Sequence, residues 1–231
     1  MNEIKFIFFD LDRTLWDFEK NSIVTFSDIF EKYNLSEIFP DFDTFITKYK
    51  YHNEKLWAKY RLGEIKKEEL RNKRFLLTLA EFGVNDENLA KKMGDDYISI
   101  SPTKTQLFPY TIEVLEYLYN KYTLAIITNG FKEVQYTKLK NCGLEKYFKK
   151  IICSEDVGRQ KPHHDIFHFA LSSLNAKKNE SIMIGDDYKI DILGAYNFGF
   201  KSIFFNLHKN KVKSLSNMQE ISSLKQLLDI L

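Results

Sequence analysis

The spacing of apolar residues changes twice along this chain of 231 residues, and these changes constrain its fold more than any other feature. A short unbroken apolar run at residues 6–9, within a first strand expected at 4–9, is typical of a strand that is buried on both faces. From about Asp17 to Ile100, apolar residues recur every three to five positions, which predicts four amphipathic helices. Beyond Pro102 and Pro109 the pattern alternates between strand and helix, which indicates a parallel sheet built from βαβ units.

The later apolar runs predict four further strands with helices between them. The strands are expected at 123–127, 150–153, 181–184 and 202–205, and the helices at about 131–142, 164–174 and 190–198. We expect an α/β fold with a Rossmann-like parallel sheet core, formed by residues 1–16 and 104–231, and an inserted four-helix cap domain, formed by residues 17–103. Trp57 and Tyr60 lie on the apolar stripe of the cap and are expected in its core, where base stacking is the less favoured alternative.

Composition and charge exclude several classes of partner. Apolar residues make up 44% of the chain, which is enough for a packed core. The 34 basic and 32 acidic residues leave a net charge of +2, which gives no electrostatic reason to expect a nucleic acid polymer or a membrane surface as partner. Two cysteines are too few for a disulfide framework, and the apolar run at 6–9 is too short for a signal peptide. We expect a cytoplasmic protein without membrane association, either a monomer or a weak homodimer.

Two carboxylates follow the first predicted strand, at Asp10 and Asp12. Residues two apart in an extended chain point the same way, so both acids face the ligand side of the sheet. Two carboxylates that lie close together at low dielectric repel each other strongly. The pair therefore predicts a site where a cation or a shared proton relieves this repulsion.

The ends of the other strands supply groups that suit a metal ion and a phosphate. The strand ends give Thr128-Asn129-Gly130 and Gly185-Asp186-Asp187, with Asp191 further along, and Lys161-Pro162 comes before the helix predicted at 164. Carboxylates bind hard cations through oxygen, and Mg²⁺ suits a site with few protein ligands plus phosphate and water. A threonine hydroxyl, the N–H groups that open a helix and a lysine ammonium suit phosphate oxygens. Taken alone, Asp187 and Asp191 fit equally well as acids at a helix N-terminus.

These segments resemble, in order, the four motifs of the haloacid dehalogenase-like hydrolase superfamily. The segments that carry the resemblance are Asp10-Leu11-Asp12-Arg13-Thr14, Thr128-Asn129-Gly130, Lys161-Pro162 and Gly185-Asp186-Asp187-Tyr188-Lys189-Ile190-Asp191. More narrowly, residues 56–65, 127–131 and 154–158 are similar to the nucleotidase branch, which includes 5′-nucleotidases that act on pyrimidine nucleoside monophosphates.

The resemblance implies a Mg²⁺-dependent phosphomonoester hydrolase that forms an aspartyl-phosphate, most closely a nucleoside monophosphate 5′-nucleotidase. Its partner would be a small phosphorylated substrate, most simply a nucleotide. Asp10 would attack phosphorus, and Asp12 would protonate the leaving alkoxide and then deprotonate the hydrolytic water. The resemblance also implies phosphate binding by Thr128, the Asn129 N–H and Lys161. It implies metal binding by the Asp10 carboxylate, the Asp12 carbonyl and Asp186. Asp187 and Asp191 would surround these groups.

Other functions use a similar scaffold. A sugar-phosphate phosphatase or a phosphomutase would use the same two aspartates. A 2-haloacid dehalogenase is disfavoured, because a halide leaves without a proton and those enzymes lack the second acid, which is Asp12 here. A receiver-like metal-binding module also gathers acids, a threonine and a lysine at a sheet edge, but receivers are shorter and lack the helical insertion.

Overall fold

The computed structural model describes residues 3–231, which form two compact units. The core unit comprises the residues up to Glu19 together with Thr105–Leu231, and the helical unit comprises Lys20–Lys104. The sequence placed these junctions at 16/17 and 103/104. That the helical unit acts as a cap stays a prediction.

A six-stranded sheet forms the centre of the core unit, and all of its neighbouring strands are parallel. The strands are β1 Phe6–Phe9, β2 Thr123–Thr128, β3 Lys150–Cys153, β4 Ser181–Gly185, β5 Lys201–Phe205 and β6 Met218–Ile221, in the spatial order β3-β2-β1-β4-β5-β6. In the central strand, Phe6 pairs with Thr123 on one side and with Ser181 on the other. This sheet confirms the predicted α/β fold class.

Ten α-helices complete the described part of the chain. They are α1 Phe18–Lys32, α2 Phe42–Arg61, α3 Lys67–Ala80, α4 Glu87–Ile100, α5 Thr111–Tyr119, α6 Lys132–Asn141, α7 Ser154–Val157, α8 His164–Leu174, α9 Leu193–Phe198 and α10 Leu227–Ile230. A π-helical turn, Tyr188–Ile192, runs directly into α9, so the helix predicted at 190–198 begins with wider turns. No helix within residues 3–231 is long and apolar enough to cross a membrane.

Both faces of the sheet are buried, which explains why its central strands read as unbroken apolar runs. Ile7 and Phe9 of β1 lie in one apolar cluster with residues of α5 and α10, whereas Phe8 lies in another with residues of α8 and α9. Strand β6 was not predicted. It is an edge strand in which Gln219 and Glu220 are exposed, so it carries neither an apolar run nor a strict alternation.

Aromatic rings dominate the core of the helical unit. Phe26 lies 5.0 Å from the ring of Tyr97 and 4.4 Å from that of Tyr49, measured between centroids. Trp57 and Tyr60 were expected in this core, but both are half-buried and lie outside the cluster, packing edge to face on each other at 5.7 Å.

Candidate active site

Asp10 lies directly after β1, at the carboxyl end of the central strand. Its backbone N–H donates a hydrogen bond to the carbonyl of Ile184 in β4 at 2.9 Å, so the sheet register fixes its position. The chain then turns through Arg13, whose φ of +67° is left-handed, and the Arg13 N–H donates to the carbonyl of Trp16 at 2.9 Å. This tight loop keeps Asp12 beside Asp10 at the sheet edge.

Lys161 is the buried cation of the site, and its side chain is 1% exposed. Its Nζ lies 2.6 Å from Oδ1 of Asp10 and 2.7 Å from Oδ1 of Asp191. It also donates to the carbonyl of Ile127 at 2.7 Å. The side chain of Asn129 holds the Lys161 backbone from both sides, accepting from its N–H at 2.8 Å and donating to its carbonyl at 2.9 Å. The lysine is therefore positioned by the end of β2.

Asp10, Asp186 and Asp191 have pKa values above those of ordinary carboxylates. Burial raises the pKa of Asp10 to about 7, against the attraction of Lys161, and the charges of Asp191 and Asp12 raise it further. Burial and the charge of Asp10 also raise the pKa of Asp186 well above its usual range. Burial by itself would lower the pKa of Lys161, but its two carboxylate partners raise it overall. The single ammonium group of Lys161 does not neutralise all the carboxylates of this cluster, which therefore keeps an excess of negative charge.

The three acids after β4 have different surroundings. Asp186 accepts a hydrogen bond from the hydroxyl of Thr14 at 3.3 Å. Asp187 caps the π-helical turn, since its Oδ1 accepts from the N–H groups of residues 189 and 190 at 2.9 Å each. Asp191 faces the other way, with Oδ1 on Lys161 and Oδ2 accepting from the Asp187 N–H at 3.1 Å. Only Asp186 and Asp191 join Asp10 in one cluster.

The hydroxyl of Thr128 lies at the end of β2, where α6 is about to begin. Its Oγ1 accepts from the N–H of Gly130 at 3.1 Å and from Nε2 of Gln135 at 2.7 Å. A Cβ at position 130 would lie 2.5 Å from the Gln135 side chain, so glycine is needed for the close approach of that amide. This threonine is thus tied both to the strand end and to α6.

Asp12 is held by two residues of α6 that the sequence did not single out. Nε2 of Gln135 donates to its Oδ2 at 2.9 Å, and Nζ of Lys138 donates to its Oδ1. Lys138 also lies 4.0 Å from the ring centroid of Trp16. Helix α6 shows no apolar stripe that would set these residues apart, and their spacing of three is the only signal that they share a face.

The arrangement has the properties of a divalent cation site. Carboxylate oxygens of Asp10, Asp186 and Asp191 all lie within 4.8 Å of one another. Hard oxygen donors with unbalanced negative charge suit Mg²⁺ or Ca²⁺ and do not suit soft metals. Because Asp191 already uses both oxygens on protein groups, Asp10 and Asp186 are the carboxylates best placed to coordinate a cation.

The structure brings the predicted residues Asp10, Asp12, Thr128, Lys161 and Asp186 to one end of the sheet, around the ends of β1, β2 and β4. The roles of all these residues stay predictions. That also applies to Asn129, whose side chain anchors Lys161 while its backbone N–H was assigned to phosphate. The assignment of Asp187 as a group behind the metal ligands is likewise untested.

Comparisons with known proteins agree on one family. Residues 7–205 match the family model described as haloacid dehalogenase-like hydrolase. The chain is 30% identical to pyrimidine 5′-nucleotidase YjjG of Escherichia coli, over 97% of this chain and 96% of that protein. It is 32% identical to a glyceraldehyde 3-phosphate phosphatase of Pyrococcus furiosus, over 100% and 94% of the two chains. The magnesium-bound crystal structure of the putative HAD-hydrolase YfnB of Bacillus subtilis superposes with a TM-score of 0.89 at 26% identity, covering 99% of each chain.

Proposed function

Because the chain belongs to the haloacid dehalogenase-like hydrolase family, we propose that it hydrolyses phosphomonoesters through an aspartyl-phosphate. The family expected from the four motifs is thereby confirmed. One observation carries the proposal: the two acids of the first motif lie in different environments. Asp10 belongs to the acidic cluster and accepts a hydrogen bond from Lys161, whereas both oxygens of Asp12 accept hydrogen bonds from side chains of α6. Two carboxylates with separate surroundings suit separate roles as nucleophile and as acid and base.

In the first step, Oδ2 of Asp10 is the candidate nucleophile because Oδ1 is held by Lys161. This ion pair fixes the carboxylate so that one oxygen is directed to the substrate. Attack at phosphorus forms the Asp10–phosphorus bond as the bond to the leaving oxygen breaks. The Asp12 carboxyl donates its proton to that oxygen, and it later takes a proton from the water that cleaves the aspartyl-phosphate.

Phosphate binding falls to Thr128 and Lys161. The hydroxyl of Thr128 and the N–H groups that open the segment to α6 face the same end of the sheet as Asp10. The Lys161 ammonium stabilises the charge that develops on the phosphoryl oxygens. A bound Mg²⁺, held by Asp10, Asp186 and the Asp12 carbonyl, would neutralise phosphate charge and orient the phosphoryl group. Magnesium is our proposal for this chain, supported by the cluster of hard donors.

For the substrate class, we propose a nucleoside 5′-monophosphate. Its support is the relative named as a pyrimidine 5′-nucleotidase, which is aligned over nearly the whole of both chains. A small sugar phosphate is the second candidate, since a relative of similar coverage is a glyceraldehyde 3-phosphate phosphatase. The two candidates differ in the leaving group and share the core chemistry.

The experiment is a phosphate-release screen with purified protein. Pyrimidine and purine nucleoside monophosphates are compared with triose, pentose and hexose phosphates, each with saturating Mg²⁺ and, separately, with a chelator. We expect Mg²⁺-dependent release, fastest from a pyrimidine nucleotide, and a loss of at least about 10³-fold in Asp10→Asn. Absence of release from every ester, or undiminished activity in Asp10→Asn, would contradict the proposal.

We also expect the enzyme to act in the cytoplasm on small molecules and not on nucleic acid polymers, as a monomer or a weak homodimer. The near balance of charge supports the absence of a polymer substrate. Size-exclusion chromatography with light scattering at several concentrations tests the oligomeric state. A stable tetramer would contradict that expectation.

A further inference from the structure

Helix α6 presents two buried polar side chains that the proposed mechanism leaves without a role. Gln135 is 0% exposed and Lys138 is 3% exposed. Burying an amide or an ammonium is unfavourable unless each finds a partner. Both find the same one, because Gln135 donates to Oδ2 of Asp12 and Lys138 donates to its Oδ1.

The two contacts together restrict Asp12 to one orientation. A carboxylate held at a single oxygen still rotates about that contact, whereas a carboxylate held at both oxygens does not. Lys138 is itself fixed, since its ammonium lies over the ring of Trp16, whose side chain is fully buried in the loop after β1. The proton-transfer group is thus held against α6 and apart from the acidic cluster around Asp10.

Gln135 also joins Asp12 to the phosphate-binding group. Its Nε2 donates to Oγ1 of Thr128 at 2.7 Å in addition to Asp12 at 2.9 Å. Within the described residues its Oε1 is buried without a hydrogen-bond partner, which is an unfavourable arrangement. Gly130 leaves the space that the amide occupies. The placement of this amide therefore serves its two acceptors at the expense of its own carbonyl.

We propose that Gln135 and Lys138 are positioning residues, which hold the Asp12 carboxyl in the orientation for proton exchange with the leaving oxygen. Gln135 additionally links that orientation to the phosphate-binding hydroxyl of Thr128. The inference rests on the proposed function, in which Asp12 is the acid and base. It gives a reason for the burial of two polar side chains of α6 beside Leu139, which packs in the apolar core.

The test uses two substrates that differ in their need for a proton. A nucleoside monophosphate expels an alkoxide and needs a general acid, whereas p-nitrophenyl phosphate expels a stable phenolate and does not. We measure kcat/KM for both with saturating Mg²⁺ in Lys138→Met and Gln135→Glu, each similar in size to the residue it replaces. Lys140→Met is the matched control, because Lys140 lies on the same helix and is exposed.

We expect kcat/KM for the nucleotide to fall about 10- to 100-fold more than for p-nitrophenyl phosphate, with KM nearly unchanged. Lys138→Arg, which keeps a cation, should recover most of the loss. Lys140→Met should match the parent. In an Asp12→Asn background, Lys138→Met should add little, because the two residues act through one group.

Equal losses on both substrates would overturn the inference, and so would an undiminished effect in the Asp12→Asn background. Circular dichroism melting of each variant identifies a fold defect. If Lys138→Met does not fold, Gln135→Glu and Lys138→Arg still decide the outcome. A parent enzyme that releases no phosphate from either ester would contradict the proposed function, which is a different result from a loss of substrate discrimination.

Discussion

The two units of the molecule place their carboxylates in opposite environments. In the core unit, Asp10, Asp186 and Asp191 lie together, burial raises the pKa of each, and the charges of neighbouring acids raise it further. In the helical unit, hydrogen bonds from Lys73 to Glu69 and from Lys48 to Glu81 lower the pKa of those acids. A buried cluster of carboxylates indicates a cation-binding or catalytic site, whereas carboxylates that each form an ion pair with a lysine indicate a solvated surface.

The largest expected effect of breaking this contrast comes from Lys161→Met. The substitution leaves the buried carboxylates of Asp10 and Asp191 without their cation, which should lower the free energy of unfolding by about 3–5 kcal/mol. Urea unfolding at pH 8, followed by circular dichroism, measures it. Lys132→Met is the control, since Lys132 pairs with Asp156 at the surface and its substitution should have a much smaller effect. Equal losses in the two variants would refute the distinction.

A rise in pH should destabilise the core unit through Asp10 and stabilise the helical unit through Glu69 and Glu81, because their pKa shifts have opposite signs. The pKa of Asp10 rises from 3.8 to about 7 on folding, so the folded protein keeps a proton that the unfolded chain loses between these values. The stability from this group is fully present below pH 4 and is lost as pH rises to about 7. Glu69 and Glu81 have lowered pKa values, so their contribution is present above pH 4.5 and is lost on acidification.

The tryptophans allow each unit to be followed separately, because Trp16 lies in the core unit and Trp57 in the helical unit. In Trp57→Phe, the fluorescence of Trp16 reports the melting of the core unit alone. With chelator present, the melting temperature measured in this way should be lower at pH 8 than at pH 5, and Mg²⁺ should reverse the decrease. At 100 times its Kd the ion adds about 2.7 kcal/mol. Ca²⁺-free and Mg²⁺-free buffers are the reference. A Trp16 signal that is insensitive to Mg²⁺ at pH 8 would argue against a cation in the acidic cluster.

Two glycines should respond to alanine for different reasons. A Cβ at Gly185 would lie 2.4 Å from Oδ2 of Asp191, so that side chain must move and disturb its pair with Lys161. We expect a loss of about 1–3 kcal/mol and lower phosphatase activity. A Cβ at Gly63, just after α2, would meet no neighbouring atom within 4 Å. Only the φ of +74° at this position opposes alanine, at a cost of about 1 kcal/mol. Equal melting temperatures and activities in the two variants would contradict the steric argument.

The smallest effect is expected for Arg74→Met in the helical unit. Arg74 is buried like Lys161, but its contacts are the ring of Tyr97 at 4.7 Å and polar oxygens of Asn53 and Arg71 at 3.3 Å each. Among residues 3–231 no ion pair joins Arg74 to a carboxylate, so the substitution leaves no buried charge uncompensated and also removes the cost of burying the guanidinium. Urea unfolding should therefore change by no more than about 1 kcal/mol. A loss as large as that of Lys161→Met would mean that burial alone, and not the ionic partner, sets the effect.

The sequence was sufficient where the backbone alone determines position. Apolar runs predicted β1 to β5, and parallel strands bring their carboxyl ends together, so Asp10, Thr128 and Asp186 could be expected at one edge before any side chain was placed. Lys161 follows no strand directly, and by itself Lys161-Pro162 indicates only a loop before a helix, so it was included because of the other polar segments. Its position depends on the hydrogen bonds of Asn129, which no local pattern reveals.

Side-chain packing was beyond the reach of sequence patterns. Gln135 and Lys138 are buried on α6 beside Leu139, but the few apolar residues of this helix form no clear stripe from which the sequence would indicate that face. Asp187 and Asp191 look equivalent as helix-starting acids, and the π-helical turn separates them into a cap and a partner of Lys161. Helical periodicity placed Trp57 on the apolar stripe, but periodicity does not show which ring enters a cluster that Phe26, Tyr49 and Tyr97 already fill.

The position of β1 has a consequence for how the protein emerges from the ribosome. This apolar strand is synthesised before both of its neighbours, and Phe6 must wait for Thr123 and then for Ser181. The helical unit, whose contacts are closer in sequence, is completed in between. During translation the nascent chain therefore carries an unpaired apolar segment for as long as the helical unit takes to be made, and β1 is the segment that a chaperone has most reason to shield.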